Sequence, residues 1–313
     1  MLFDTFNSNR ERDGYINLDF IDKHLLQEPT YGSRKNKKWF VHGGEQYLFK
    51  PNNNEGEDIK EVINEELAKM LGINNAEYDL GVYKGKKGVI SKNFIPNKSI
   101  YLTGLLAIIE YKLGFSNDLY TYYQTQIKAD SDDDTIEETI DELLRRHILD
   151  IFTAQRDRNI DNTSFFKTNR GLVLAPRYDS AGSFLSISKR NKMVEFLTAR
   201  NKSELLKKYG GIRTKFRILP GSAKDDSIEE YFDSLFSEEL PQLLRKRMLS
   251  LDDYISQAEK IDLDDIYYIL SNYGINLPQT ERYFYKKIYD IKAEAFENAF
   301  GQAKEKLKVK VNH

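Results

Sequence analysis

Along this chain the spacing of apolar positions changes period several times, and each change marks an element. Residues 37–50, KKWFVHGGEQYLFK, hold two short β-prone runs around His42-Gly43-Gly44-Glu45, the pattern of a β-hairpin. Pro51 to Glu57 is a polar loop of Pro, Asn and Gly. Beyond it, Ile59, Val62, Ile63, Leu67, Met70 and Leu71 recur at helical spacing, and Gly72 follows as a stop signal. YDLGVYK and KGVISKNFI, parted by Gly85-Lys86-Lys87, predict two more strands. Residues 1–95 therefore predict strand, strand, helix, strand, strand.

After Pro96 the character shifts. Residues 101–127 are Tyr-rich and read as helical, and DSDDD at 130–134 reads as an acidic loop. Thr135 with Glu138 predicts a capping box for a helix running to Ala154. NTSFFKTNRGLVLAPRYDS predicts a hairpin turning at Thr168-Asn169-Arg170-Gly171. From residue 195 onward the pattern is almost wholly helical, with a break at Pro220-Gly221. Phe284, Ile288, Ile291, Ala295 and Ala299 form one stripe of the last helix, and the Lys-rich stretch after Gln302 is expected to be solvated. There is no internal repeat. The prediction is an α+β fold of two lobes, a small mixed β lobe (1–95) and a larger, mainly helical lobe (96–313). Such a junction commonly holds a ligand cleft.

Composition narrows the chemistry. The chain has 313 residues, 40% hydrophobic and 31% charged, as expected of a globular protein. It has no Cys, which excludes disulfides, thiolate metal sites, iron–sulfur ligation and a Cys nucleophile. A net charge of −2 argues against a chain built to coat nucleic acid. No apolar run approaches the ~18 residues of a membrane helix. MLFDTFNSNRERDG carries acidic residues where a signal peptide needs an apolar stretch, so the expected location is cytoplasmic, the alternative being an effector exported without a classical signal peptide. His24, His42, His147 and His313 do not pair at metal-ligand spacing. There is no GxSxG or Walker A sequence, and Gly81-Gly85-Gly88 lacks the dinucleotide-binding spacing. Asp4, Glu11 and the DSDDD run read as solvated charge, without EF-hand spacing.

One segment carries chemistry. DIFTAQRDRNIDN, residues 150–162, places Asp157 and Asn162 five apart in a polar loop, and Asp179 ends the β-prone run LVLAPRYD. An Asp, an Asn five residues on and an Asp after the next hairpin is an arrangement that phosphoryl transfer uses. Asp157 would orient a substrate hydroxyl and accept its proton. Asn162 and Asp179 would offer one neutral and one anionic oxygen to Mg²⁺, a hard ion that takes few carboxylates plus phosphate oxygens. An Asx-rich turn alone would look similar. Lys50 ends the run YLFK, where a kinase-like fold places a phosphate-binding lysine, and a helix bearing Glu61, Glu65 and Glu66 follows. Upstream, TYGSRKNKKWF is a loop of Gly and Lys entering a strand, suited to covering phosphates.

On these residues the sequence resembles the HipA-like serine/threonine kinases, in the short CtkA-like form. The matched stretch runs from Thr30 to Gly182, roughly half the chain, through YLFKPNN, EVINEELAKMLGI, VISKNF, DIFTAQRDRNIDN and LAPRYDSAGS. The resemblance implies a two-lobed fold related to protein and phosphoinositide kinases, with ATP and Mg²⁺ as cofactors. It makes Asp157 the catalytic aspartate, with Arg158 beside it holding the catalytic loop and Asp150 bracing it. It makes Asn162 and Asp179 the Mg²⁺ ligands, Lys50 the ATP-binding lysine and Glu61 its ion-pair partner. Lys37 would approach the phosphates, and Ser91 to Phe94, including Asn93, would form the hinge that meets adenine. Asn159 stands where many relatives carry His. The roughly 29 residues before the loop are too few for the extra N-terminal subdomain of the longer relatives. Tyr31-Gly32-Ser33 matches their phosphorylated loop only loosely, with Ser33 as the candidate acceptor.

The implied activity is Mg·ATP-dependent phosphorylation of a protein serine or threonine, autophosphorylation included. The implied partners are a protein substrate and, for a toxin of a toxin–antitoxin pair, an antitoxin; an effector role is the other family precedent. Between Lys189 and Arg217, ten Lys and Arg face only Glu195 and Glu204, so direct nucleic-acid contact stays open there although the overall charge disfavours it. A catalytically weak kinase-fold binding module and a small-molecule or lipid kinase are the alternatives.

Overall fold

The structure, a computed structural model, describes residues 6–25, 37–54, 56–95, 100–114, 116–156, 158–184 and 240–311, with positions 197, 205 and 232. Asp4, Ser33 and its loop, Asp157, every Lys and Arg of the 189–217 segment and Pro220-Gly221 lie outside the described residues.

The expected N-terminal elements form. Strands β2 (Lys38–His42) and β3 (Glu45–Pro51) make the hairpin, α1 (Glu57–Met70) follows, and β4 (Tyr78–Tyr83) and β5 (Lys86–Lys92) complete the pattern. A further strand, β1 (Ile16–Asn17), stands outside the expected pattern and pairs parallel with β4. The five-stranded sheet runs β1-β4-β5-β3-β2, antiparallel apart from that edge.

Strand periodicity sorts the side chains of this sheet onto two faces. Tyr47, Phe49, Tyr83 and Ile90 join Phe6, Ile16, Leu18 and Ile21 in a cluster beneath the N-terminal segment. Leu80 and Val89 face the other way, into the core that includes Val62, Ile63 and Leu67 of α1. Lys50 pairs with Val89 and so lies on this second face. Gly88 sits opposite Pro51 on one side and Gly81 on the other. A Cβ on Gly88 would meet the Lys50 carbonyl oxygen at 2.2 Å and Pro51 Cα at 2.7 Å, both backbone atoms that cannot swing away.

Residues 6–25 are a strap across this lobe. Arg10 makes a two-pronged ion pair with Asp79, at 3.0 and 2.7 Å, and the Tyr15 hydroxyl donates to Asp58 of α1 at 2.7 Å. Gly14, at φ +83°, lies so close to Ile275 of the helical region that a Cβ there would sit 2.6 Å from its side chain. The strap therefore touches both the sheet and the C-terminal helices.

The single helical stretch expected over 101–127 is instead β6 (Tyr101–Thr103), α2 (Gly104–Glu110) and α3 (Leu119–Lys128). The Thr103 side chain caps α2, Lys112 turns left-handed just after it, and Asp118 caps α3 by accepting from Thr121 N–H. Helix α4 (Asp133–Phe152) is capped by Asp132, which accepts from Thr135 N–H at 2.7 Å. That replaces the expected Thr135–Glu138 box. Asp132 also pairs with Arg170, so this part of the DSDDD run is committed to capping.

Strands β7 (Ser164–Thr168) and β8 (Gly171–Leu174) form the second expected hairpin and join β6 in an antiparallel sheet. Helices α5 (Gln242–Leu249), α6 (Asp252–Glu259), α7 (Leu263–Ser271) and α8 (Gln279–Val311) follow. The α8 stripe is buried at Phe284, Ile288, Ile291 and Ala299 and half-buried at Ala295. The helix continues through the Lys-rich stretch to Val311, and Lys304 pairs with Asp252 at 2.6 Å. No helix among the described residues is long and apolar enough to cross a membrane.

Gly88→Ala is expected to lower unfolding stability by about 1–3 kcal/mol, the usual range for overpacking. Urea unfolding of the variant measures it, and an unchanged midpoint would show that the β3–β5 spacing yields easily.

Candidate active site

The site is assembled from β3, α1 and the loop after β8. Lys50, at the end of β3, reaches Glu61 Oε1 at 3.2 Å and Asp179 Oδ1 at 2.6 Å. Glu61 is 1% exposed, and its second oxygen, Oε2, accepts the Ser180 backbone N–H at 2.6 Å. Glu61 is not among the apolar positions that recur along α1. The structure buries α1 on nearly every face, and Glu61 is interior because polar groups of the 177–184 loop pack against it.

Asp179 sits at φ +59°, a left-handed conformation that Asp tolerates better than most residues. Its N–H donates to the Tyr78 hydroxyl at 3.1 Å, and its carbonyl accepts from Gln155 Nε2 at 2.9 Å. Two neighbours of the loop, Ala154 and Phe184, are also left-handed, at φ +51° and +53°. The Phe184 N–H donates to the Thr153 carbonyl at 2.5 Å and closes the loop onto the end of α4.

Residues on both sides of position 157 are anchored. Arg156 N–H donates to the Gly182 carbonyl at 3.4 Å. Arg158 is 4% exposed and grips Asp150 with Nε at 2.8 Å and Nη2 at 3.2 Å, while its Nη1 donates to the Tyr178 carbonyl at 2.6 Å. Arg158, expected to hold this loop, is an interior side chain anchored on Asp150. Asn159 Oδ1 accepts the Asp161 N–H at 3.0 Å and caps the short turn that ends at Asn162. A neutral Asn thus shapes this turn without a histidine. Asn162 is 8% exposed, and its carbonyl accepts from Arg158 Nη1 at 3.4 Å.

The expected hinge, Ser91 to Phe94, spans the end of β5 and the two residues beyond it. Ser91 is an internal position of β5, paired with Leu48 on one side and Tyr78 on the other, so the sheet holds its backbone. Asn93 N–H donates to the Gln46 carbonyl at 2.9 Å, and its side chain donates to Gln46 Oε1 and accepts from Ile95 N–H. Phe94 lies beyond the strand, with its ring centroid 5.6 Å from that of Tyr178 and 6.5 Å from that of Tyr101. The Tyr178 hydroxyl bonds Ser164 Oγ at 2.7 Å and the Asp161 carbonyl. An aromatic wall thus connects the end of β5 to the loop that carries Asn162.

The electrostatics follow from this packing. Burial alone would pull the Lys50 ammonium down; Glu61 and Asp179 outweigh it and hold it above the ordinary lysine range. Burial pushes the Glu61 carboxyl up, and Lys50 offsets only part of that. Asp179, 41% exposed at its side chain, also feels burial, but Lys50, Lys37 and Arg158 hold its carboxyl below the usual range. Asp150 is likewise kept ionised against burial by Arg158 and Arg177. The site thus presents a lysine between two carboxylates, one interior and one partly open. No group of three or more His, Asp or Glu that could hold a metal ion occurs among the described residues. Asp179, anionic and partly open, offers a hard oxygen of the kind that a cation shared with phosphate oxygens takes.

No protein-family model matches the chain, and no curated protein does. Among solved structures it is similar to the crystal structure of a Helicobacter pylori proinflammatory kinase, CtkA, with a TM-score of 0.67 at 17% identity, covering 93% of this chain and 98% of that one. HipA of the Shewanella oneidensis MR-1 HipA–HipB–operator DNA complex matches at TM-score 0.49 and 16% identity, over 90% of this chain and 67% of that one. Choline kinase LicA from Streptococcus pneumoniae matches at TM-score 0.25 and 10% identity, over 91% and 93%. The chain has the two-lobed, α+β, kinase-like fold of CtkA over nearly its whole length.

Proposed function

We propose that the chain is a Mg·ATP-dependent phosphotransferase acting on protein serine or threonine hydroxyls, its own included. The observation that carries this reading is Lys50 held between Glu61 and Asp179, at 3.2 and 2.6 Å, in a kinase-like fold. The protein acceptor rests on the sequence resemblance, and the lobe boundary near residue 95 rests on the change of pattern after Pro96.

Phosphoryl transfer asks little covalent chemistry of a protein; it asks for positioning and for charge to meet the equatorial oxygens of the transferring group. Lys50, oriented by Glu61, would present its ammonium to the nucleotide phosphates, and Lys37 would add a second cation from just before β2. Asp179 and Asn162 would hold Mg²⁺, which when bound neutralises the phosphate oxygens. Asp157 would orient the acceptor hydroxyl and take its proton. Phe94 and the Tyr178 ring would bound the base, and the anchored Arg156 and Arg158 would keep the intervening catalytic loop in register.

The ion pairing also ties folding to pH. Asp179, whose carboxyl is held low, contributes stability above its unfolded pKa and loses it as pH falls through the folded value. Glu61 is held high, so it contributes in the opposite sense and loses stability as pH rises through its folded value. Lys50 is held high and contributes until pH rises through its own folded value. Removing Lys50 leaves Glu61 buried without its cation.

Two outcomes are expected. Purified protein given Mg·ATP should release ADP and gain phosphate detectable by mass spectrometry, and Asp157→Asn should cut that rate by roughly 100-fold or more, as loss of a general base does. A wild type that transfers no phosphate, or an equal rate in Asp157→Asn, would overturn the reading. Lys50→Met should lose about 3 kcal/mol at neutral pH, as broken buried pairs do. In urea unfolding that deficit should widen between about pH 4 and pH 8, the window above the ordinary carboxylate range. A deficit that does not change with pH would mean Glu61 is not the group left uncompensated.

A further inference from the structure

Arg177 lies two residues before Asp179, is 1% exposed, and belongs to none of the roles above. Its Nη2 donates to Asp150 Oδ1 at 2.7 Å and to Asn64 Oδ1 of α1 at 3.1 Å. Its Nη1 donates to Asn75 Oδ1 at 3.2 Å. Its backbone is clamped as well: its N–H donates to the Asn74 carbonyl and its carbonyl accepts from Ala76 N–H, both at 2.8 Å. One guanidinium therefore joins the helix carrying Glu61, the connection from that helix to β4, and the carboxylate that braces the catalytic loop.

Asn64 extends the network in the other direction. Its Nδ2 donates to Ser183 Oγ at 2.7 Å, and Ser183 Oγ donates to the Ser180 carbonyl at 2.8 Å. Ser180 N–H is the donor that engages Glu61. The path from Arg177 through Asn64, Ser183 and Ser180 thus ends on the ion pair of Lys50. Along the other arm, Asp150 holds Arg158, whose Nη1 grips the Tyr178 carbonyl, one residue from Asp179. Only a planar, many-donor cation can serve acceptors set this far apart; a lysine in its place would be a single point charge.

We propose that Arg177 is a positioning residue that, through Asn64 and Asp150, locks α1 to the Asp179 segment and so assembles the Lys50–Glu61–Asp179 arrangement from the chain's own interior contacts. This rests on the kinase reading and adds to it an account of how α1 is held in place. In many kinases α1's counterpart is a movable element. Here the Arg177 fork and the strap over Asp58 hold it from two sides.

Arg177→Met strips a buried carboxylate of a partner and risks unfolding, so Asn64→Leu, of similar size, is the informative variant. Three measurements are made on the full chain: kcat and KM for ATP, the same constants in an Arg177→Lys background, and amide hydrogen exchange of residues 57–64 and 177–184. Asn64→Leu should lower kcat roughly 10-fold with KM for ATP little changed, the size of effect seen when a supporting contact around a site is lost. In the Arg177→Lys background, which has already lost the contact, the same substitution should cost less than about twofold. Exchange should rise in both segments and not in β2–β5. A wild-type kcat in Asn64→Leu, or the same loss in both backgrounds, overturns the inference while leaving the kinase reading intact. A wild type without phosphoryl transfer overturns the kinase reading; the exchange pattern then decides the coupling alone, and unchanged exchange overturns that too.

Discussion

A buried carboxylate has to be answered by a cation or by hydrogen-bond donors, and Glu61, 1% exposed, is answered by both. Taking an unpaired charge out of water costs several kcal/mol. Lys50 supplies the answer from β3, and the Ser180 N–H supplies a second. These partners come from opposite parts of the molecule, a strand of the five-stranded sheet and a loop that follows the three-stranded one. Satisfying Glu61 therefore sets the relation of the two parts. Asp179 is drawn to the same lysine, which places a half-open anionic oxygen beside a fixed cation.

The same logic repeats one layer deeper, where Asp150 is shared by Arg158 and Arg177. Here two guanidinium groups meet one carboxylate, and several of their other donors go to backbone carbonyls, side-chain amides and the Ser180 hydroxyl. An interior so polar is a poor source of stability but a precise one of geometry. The stability comes from the apolar layers around it: the sheet face under Phe6, Ile16 and Ile21, and the packing of Phe152 against Tyr289 and Phe296.

Much of this was legible in the sequence where period and punctuation were strong. The hairpin around Gly43-Gly44, helix α1 with its Gly72 stop, and the hairpin before Asp179 stand where the pattern put them. The pairing of Lys50 with Glu61 came from the resemblance and is present as contact geometry. The strap at 6–25 was not legible, because a two-residue strand between short turns has no period to read. Over 101–127 a Tyr-rich composition hid two breaks that depend on Thr103 and Asp118 as caps. Arg177 and Asn64 left fainter marks, an arginine inside the apolar run LVLAPRYD and an asparagine directly after Ile63 in a helix. Each reads as surface until tertiary packing encloses it.

The left-handed backbone at Asp179 has a consequence of its own. Most L-residues resist that conformation by about 1–2 kcal/mol, and Asp, Asn and Gly resist it least. The position thus screens its occupants twice, once for an anionic oxygen and once for backbone tolerance, and aspartate alone passes both screens. With Ala154 and Phe184 under the same constraint nearby, the loop is held in shape against its own preference. Substitutions that relaxed it would trade activity for robustness, so a sturdier version of this protein would be expected to be a poorer catalyst.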